Sequence, residues 1–422
     1  MNKRLPLSIL IFLAIVFSAS NLGYASPPPP ERITQVAQLM GGEHNQAFGS
    51  SVVLSGDTLA VGDPYDDQIG AEAGSVTIYQ SDKAGRWIKG TRLTPLDAEA
   101  GIQFGLNIAL SGDTLLVGAP YDNDSGLRSG SAYIFERNPL EPGAWTQVTK
   151  LTASDAYTND QFGWAVVVDG DTAVIGAYTK VYGGRVYIYD RDEGGPGQWG
   201  ETAQLNPDPP GFQANFGEAV DLDGDLLAIG AYGGGDYAGY VYAFQRQPGS
   251  DQWQRLTRFR SSDTYAYYYF GYTVALDNWT ILAGAPGADG LTGAAYIFTA
   301  DPAQPETWTE RARLTPSDGA MQDYFSLSLD LSGDIAWIGA PNHADGTGAA
   351  YLYARDQAGP NLWGEITPLL GEDSSQGDQF GSWTSMDGDL AVAGAPGRLP
   401  SGSVYVFNLD PPWLSLLPLV NR

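Results

Sequence analysis

Acidic side chains offer the first candidate chemistry. "YDNDSG" (121–126) places Asp122, Asn123 and Asp124 ahead of a glycine. Oxygen donors at alternate positions followed by glycine are a fragment of a calcium loop, so Asp122 and Asp124 are candidate ligands and calcium is the candidate ion. The same residue types also make plain polar turns. Catalysis has less to work with. His44 and His343 are the only histidines and there is no cysteine, so a Ser–His–Asp relay would need one of two histidines that lie in no motif. HExxH and GxSxG do not occur. A carboxylate pair for glycan hydrolysis stays open. Most aspartates, however, recur at a fixed spacing, and a residue copied into every unit of a chain points to structure.

Binding chemistry is better supplied. "DTYAYYYFG" (263–271) crowds Tyr265, Tyr267, Tyr268 and Tyr269 into five positions. Tyr121, Tyr232 and Tyr237 lie in comparable segments of other units. A tyrosine offers an apolar face and a polar tip, which suits stacking on a sugar or anchoring a protein interface.

The elements that must position these side chains are repeats. Phe48, Phe104, Phe162, Phe216, Phe270, Phe325 and Phe380 stand 54 to 58 residues apart. Each is followed by a decamer such as "SGDTLAVGDP" (55–64) or "DGDLAVAGAP" (387–396). A run such as "GSVTIY" (74–79) comes next, then a Trp with an apolar residue six positions on. One unit therefore holds four short strands, A to D, the size of a propeller blade. "SGDT" suits a two-residue type II′ hairpin between A and B, and Asn278 replaces its glycine in the fifth unit. Strands B and C are apolar on both faces, which means a sheet covered on both sides. The glycine of each decamer, Gly62 for example, marks a place where a neighbouring backbone comes close.

The fold expected is all-β: a seven-bladed propeller of four-stranded antiparallel blades over 32–410. The strand at 33–39 ("ITQVAQL") copies strand D without a blade of its own, so it is expected to complete the seventh blade. "WLSLLPL" (413–419), in a tail spanning 411–422, keeps the same six-residue step and is the competing closure.

These residues resemble FG-GAP repeats, the units of the propeller at the head of integrin α chains and of many secreted bacterial proteins. "FG" recurs in six units, with Ser326 replacing the glycine in one, and "GAP" in four, varied to "GDP" or "GAY" elsewhere. The resemblance implies the seven-bladed fold and a binding or adhesion role. It also brings a calcium loop in the A–B hairpin, from which this chain departs. Thr58, Thr114 and Thr172 stand where that loop has its last Asp. So short a turn cannot supply six oxygens.

Composition sets the remaining expectations. Residues 1–25 read as a secretory signal and 26–31 ("SPPPPE") as a stiff leader. The apolar run is short for a membrane anchor, so no stable membrane insertion is expected. A formal charge of −27 opposes binding to nucleic acid. The partner expected is an extracellular glycan or protein, met by a monomer through the face formed by B–C and D–A loops. The tyrosines there are Tyr121, Tyr232, Tyr237, Tyr265, Tyr267, Tyr268 and Tyr269. A secreted polysaccharide-active enzyme and a passive envelope scaffold are the alternatives.

Overall fold

The computed structural model of the protein describes residues 33–43, 46–82, 84–141, 143–208 and 214–409. The signal, the Pro-rich leader, His44 and the tail at 411–422 fall outside them. Strands arrange in seven four-stranded antiparallel sheets. In the first blade A to D are Ser51–Ser55, Thr58–Asp63, Ser75–Ser81 and Trp87–Leu93, paired in that order. The seventh supplies Trp383–Asp387, Leu390–Ala395 and Ser403–Asn408, and its fourth strand is Thr34–Met40, antiparallel to Ser403–Asn408. The N-terminal strand therefore closes the ring.

The core is divided rather than central. Seven apolar clusters form, each from residues of two adjacent blades. One joins Val392, Val404 and Val406 of the seventh blade to Val52, Leu59 and Val61 of the first. This is why strand B reads as buried at every position from Thr58 to Asp63. The decamer glycines show the closeness most directly. A Cβ on Gly62 would collide with the carbonyl oxygen of Gly105 in the next blade, and one on Gly118 with that of Gly163.

Two sequence expectations need correction. Strand A, read from the sequence as starting at the repeat Phe ("FGSSVVL", 48–54), does not generally begin there. In the first blade it starts at Ser51, because Gly49 (φ +93) turns the chain and Phe48 bridges in parallel to Gly402 of the preceding blade. The Phe ring is instead a wedge between blades; Phe104, fully buried, packs edge-on against Tyr133 at 5.5 Å. The fifth A–B turn also differs in type. Both Asn278 (φ +45) and Trp279 (φ +57) are left-handed, the pattern of type I′. In the first turn only Gly56 (φ +57) is.

The A–B hairpins clasp blade to blade. Asp387 accepts the Gly56 N–H of the first blade, Asp169 that of Gly224 (2.9 Å) and Asp223 that of Asn278 (2.8 Å). Where the resemblance would place calcium, a guanidinium sits. Arg137 of the second blade bonds Thr58 of the first, reaches Asp113 of its own turn at 3.0 Å and lies 5.2 Å from the Trp145 ring. Arg191 and Arg246 repeat this on Thr114 and Thr172 with Trp199 and Trp253. The recurring Trp, Asp and Thr thus form one structural device on one side of the disc.

Candidate functional site

B–C and D–A loops emerge together on the opposite side. They are stitched by backbone bonds such as Tyr267 N–H to the Asp236 carbonyl (3.2 Å) and Tyr269 N–H to the Tyr237 carbonyl (3.0 Å). That stitching places Tyr237 and Tyr267 in a stacked pair, centroids 5.9 Å apart and planes 12° apart. Tyr269 meets Tyr232 and Tyr237 edge-on at 5.8 and 6.0 Å. Tyr232, Tyr237, Tyr267 and Tyr269 therefore form one cluster between the fourth and fifth blades.

Tyr265 and Tyr268 are not in it; they pair with each other at 5.7 Å, and Tyr268 packs on the fifth-blade core. An extended loop would have sent Tyr265, Tyr267 and Tyr269 one way. The loop is not extended, because Tyr267 (φ +65) and Tyr269 (φ +57) are left-handed. Tyr265 and Tyr267 remain exposed, at 69% and 60%.

Tyr121 and Asp122 belong to the second blade, and Tyr121 carries Arg128 over its ring at 5.3 Å. The carboxylates of Asp97, Asp122 and Asp124 lie within 4.8 Å of one another, a geometry able to hold a metal ion. The Lys150 ammonium stands among them, 2.7 Å from Asp97, 2.9 Å from Asp122 and bonded to Asp124. Burial would lower the Lys150 pKa, but its bonds to Asp124, Asp97 and Asp122 outweigh this and raise it. Calcium on Asp122 and Asp124 would have to displace a cation that the chain itself supplies.

The repeated aspartates are likewise engaged. Asp155, Asp318 and Asp373 accept the hydroxyls of Tyr187 (2.6 Å), Tyr351 (2.8 Å) and Tyr405 (2.8 Å) from the next blade. Lys180 is shared between Asp155 and Asp160, His343 between Asp318 and Asp323, and Arg398 between Asp373 and Asp378.

Sequence reading missed the central channel. Strand A of every blade lines a cavity of about 570 Å³. Its rim is the residue after each Phe-Gly or Phe-Ser: Ser50, Leu106, Trp164, Glu218, Tyr272, Leu327 and Ser382. Deeper, Asp221 accepts the N–H groups of Leu222 (2.9 Å) and Leu276 (2.6 Å), and Asp330 those of Leu331 (2.8 Å) and Met386 (2.6 Å). Burial pushes their carboxyls up, to about 8 and about 6, against those hydrogen bonds. Both side chains serve to satisfy edge N–H groups of a neighbouring blade.

The sequence matches the FG-GAP repeat at residues 34–79, 87–135, 145–189, 199–244, 253–298, 308–353 and 363–407. The chain belongs to the FG-GAP repeat family. Each matched unit runs D, A, B, C and so crosses from one blade into the next. No curated protein matches the chain. The FG-GAP propeller is a scaffold consistent with a binding module, and its loops carry whatever function is grafted on it. Among the described residues no helix is long and apolar enough to cross a membrane.

Proposed function

We propose that this FG-GAP propeller is an exported, non-catalytic recognition module that takes a glycan on its tyrosine platform between the fourth and fifth blades. The observation that carries the reading is the stacked Tyr237–Tyr267 pair with Tyr267 60% exposed. An exposed aromatic ring costs solvation and is held there by two left-handed residues, Tyr237 (φ +62) and Tyr267 (φ +65). Exposed Asp236 in the same loop offers hydroxyl acceptors beside the rings. Asp221 and Asp330, two of the channel carboxylates with raised pKa values, are disfavoured as catalytic groups because each already accepts backbone hydrogen bonds on both oxygens. The charge of −27 argues against nucleic acid, and the module acts as a monomer without inserting in a membrane.

The test is a glycan array and a protein array probed with the purified propeller. Tyr237→Ala with Tyr267→Ala is expected to weaken glycan binding by about tenfold or more, since each packed ring contributes on the order of 1–3 kcal/mol. The melting temperature should barely move. Capture by proteins alone redirects the reading to adhesion. Sugar release without retention makes it an enzyme.

A further inference from the structure

Besides Asp221 and Asp330, whose carboxyls sit deep in the channel on backbone N–H groups, seven acidic residues are buried as whole residues in the described structure: Asp63, Asp66, Asp122, Asp160, Glu218, Asp323 and Asp378. Five have a basic partner from the chain: Arg92, Lys150, Lys180, His343 and Arg398 for Asp66, Asp122, Asp160, Asp323 and Asp378. Asp63 accepts three backbone N–H groups, from Gln46, Ala47 and Tyr65. Glu218 is the exception. It is 8% exposed, on the wall of the channel, and its Oε2 has no hydrogen-bond partner. No ion pair reaches it among the described residues. A buried carboxyl with one oxygen left this way costs free energy.

Its surroundings break the repeat in the same sector. The third residue of the GAP-like tripeptide is proline in five blades (Pro64, Pro120, Pro286, Pro341, Pro396) and tyrosine only in the third and fourth (Tyr178, Tyr232). The rim residues on either side of Glu218 are Trp164 and Tyr272. Trp164 packs on Tyr178 at 4.7 Å and Tyr272 on Tyr232 at 5.3 Å. Proline serves five blades, so the fold does not require tyrosine here. Four aromatic rings around one unmatched carboxyl are the chemistry of an organic-cation site: ring faces attract an ammonium and the carboxylate neutralises it. A net charge of −27 raises the local concentration of cations.

We propose that the channel mouth between the third and fifth blades binds a small organic cation with an ammonium head, with Glu218 as counter-ion and Trp164, Tyr178, Tyr232 and Tyr272 as its aromatic wall. The site adjoins the tyrosine platform through Tyr232 but does not depend on the platform's ligand. Burial pushes Glu218 up to about 8, against the Trp164 hydrogen bond. The titratable groups facing it are the phenols of Tyr178, Tyr232 and Tyr272, each raised by burial and by Glu218. Binding should therefore strengthen as pH rises through this range and the carboxyl ionises.

The experiment is titration of the full propeller with choline chloride at constant ionic strength, followed by indole fluorescence and calorimetry. The uncharged isostere with carbon in place of nitrogen runs in parallel. Choline is expected to bind about tenfold or more tighter than the isostere. Its affinity should rise about tenfold or more between about pH 6 and about pH 9. Glu218→Gln should lose that pH dependence and about tenfold in affinity at about pH 9. Tyr178→Pro, which installs the residue of five other blades, should weaken choline binding without unfolding the ring. Tyr237→Ala with Tyr267→Ala should leave it unchanged, whatever becomes of glycan binding. Equal binding of the isostere, undiminished choline binding by Glu218→Gln, or no saturable choline binding at about pH 9 overturns the proposal.

Discussion

Two acidic places on the same side of the disc have opposite electrostatic states. Asp97, Asp122 and Asp124 form the denser one, and Lys150 sits among them. Glu218 is a single carboxyl among rings, with one oxygen unpartnered. Density of like charge is a poor guide to ligand sites, because a chain under selection for stability supplies its own counter-ion where it can. A buried carboxyl with an unpartnered oxygen is the better guide, because only something outside the chain can match it when it ionises.

The comparison breaks first at Lys150. Lys150→Ala leaves three close carboxylates without a cation. Losing one partner of a part-buried pair, softened by water at Asp97 and Asp124, should cost about 2–3 kcal/mol. Thermal melts should show the loss, and calcium should restore much of it. The melting temperature of the parent protein should not respond to calcium. A parent protein stabilised by calcium would show that the ion displaces Lys150 and that the two places are alike.

At Glu218 the effect is smaller and runs with pH. The folded carboxyl is pushed up to about 8, above its unfolded value, so the folded state holds a proton that the unfolded state releases. Stability from this group is fully present below the unfolded value and is lost as pH rises through about 8. Asp221 and Asp330 have the same sign, with values of about 8 and about 6. Melting temperature should fall between about pH 5 and about pH 9, and Glu218→Gln should flatten part of that slope. A melting temperature that climbs over this interval would place Glu218 among the paired acids.

The smallest effect is expected at His343, which occupies the position that Lys180 and Arg398 hold in their clasps. Guanidinium offers two carboxylates a planar fork of donors, and imidazole offers only its two ring nitrogens. His343→Arg should therefore stabilise the protein by about 0.5 kcal/mol, read from denaturant midpoints. No gain would mean that the ring's fit between Asp318 and Asp323, not donor number, sets this clasp.

The blade pattern was legible because its signals are local. "SGDT" specifies a two-residue turn, and the run from Leu59 to Val61 is buried on both faces wherever the blade sits. Closure was legible because Ile33 to Leu39 copies strand D without a blade to precede it. The tyrosine platform was only half legible. Period-two alternation assumes extended backbone, and the left-handed Tyr267 and Tyr269 sent Tyr265 to Tyr268 instead. The calcium fragment at Asp122 and Asp124 could be read from spacing. Lys150, 26 residues after Asp124 on strand D, could not be placed beside it without the pairing of strands.

Sequence alone determined the number of blades and the order of strands within each, since both follow from periodicity and turn chemistry within one unit; it favoured 33–39 over 413–419 at the seam, and the pairing of Thr34–Met40 with Ser403–Asn408 decided it. Tertiary structure decided which charges are matched. The decamer aspartates find their partners in the next blade, as Asp387 does at Gly56 and Asp223 at Asn278. Trp164, Glu218 and Tyr272 lie 54 residues apart along the chain and meet only because each follows a Phe-Gly turn onto the channel rim. Registering the third tripeptide residue across units would have exposed Tyr178 and Tyr232 as departures from proline. That the departure surrounds a carboxyl without a partner depends on burial, which comes from the closing of the ring and is written in no single repeat.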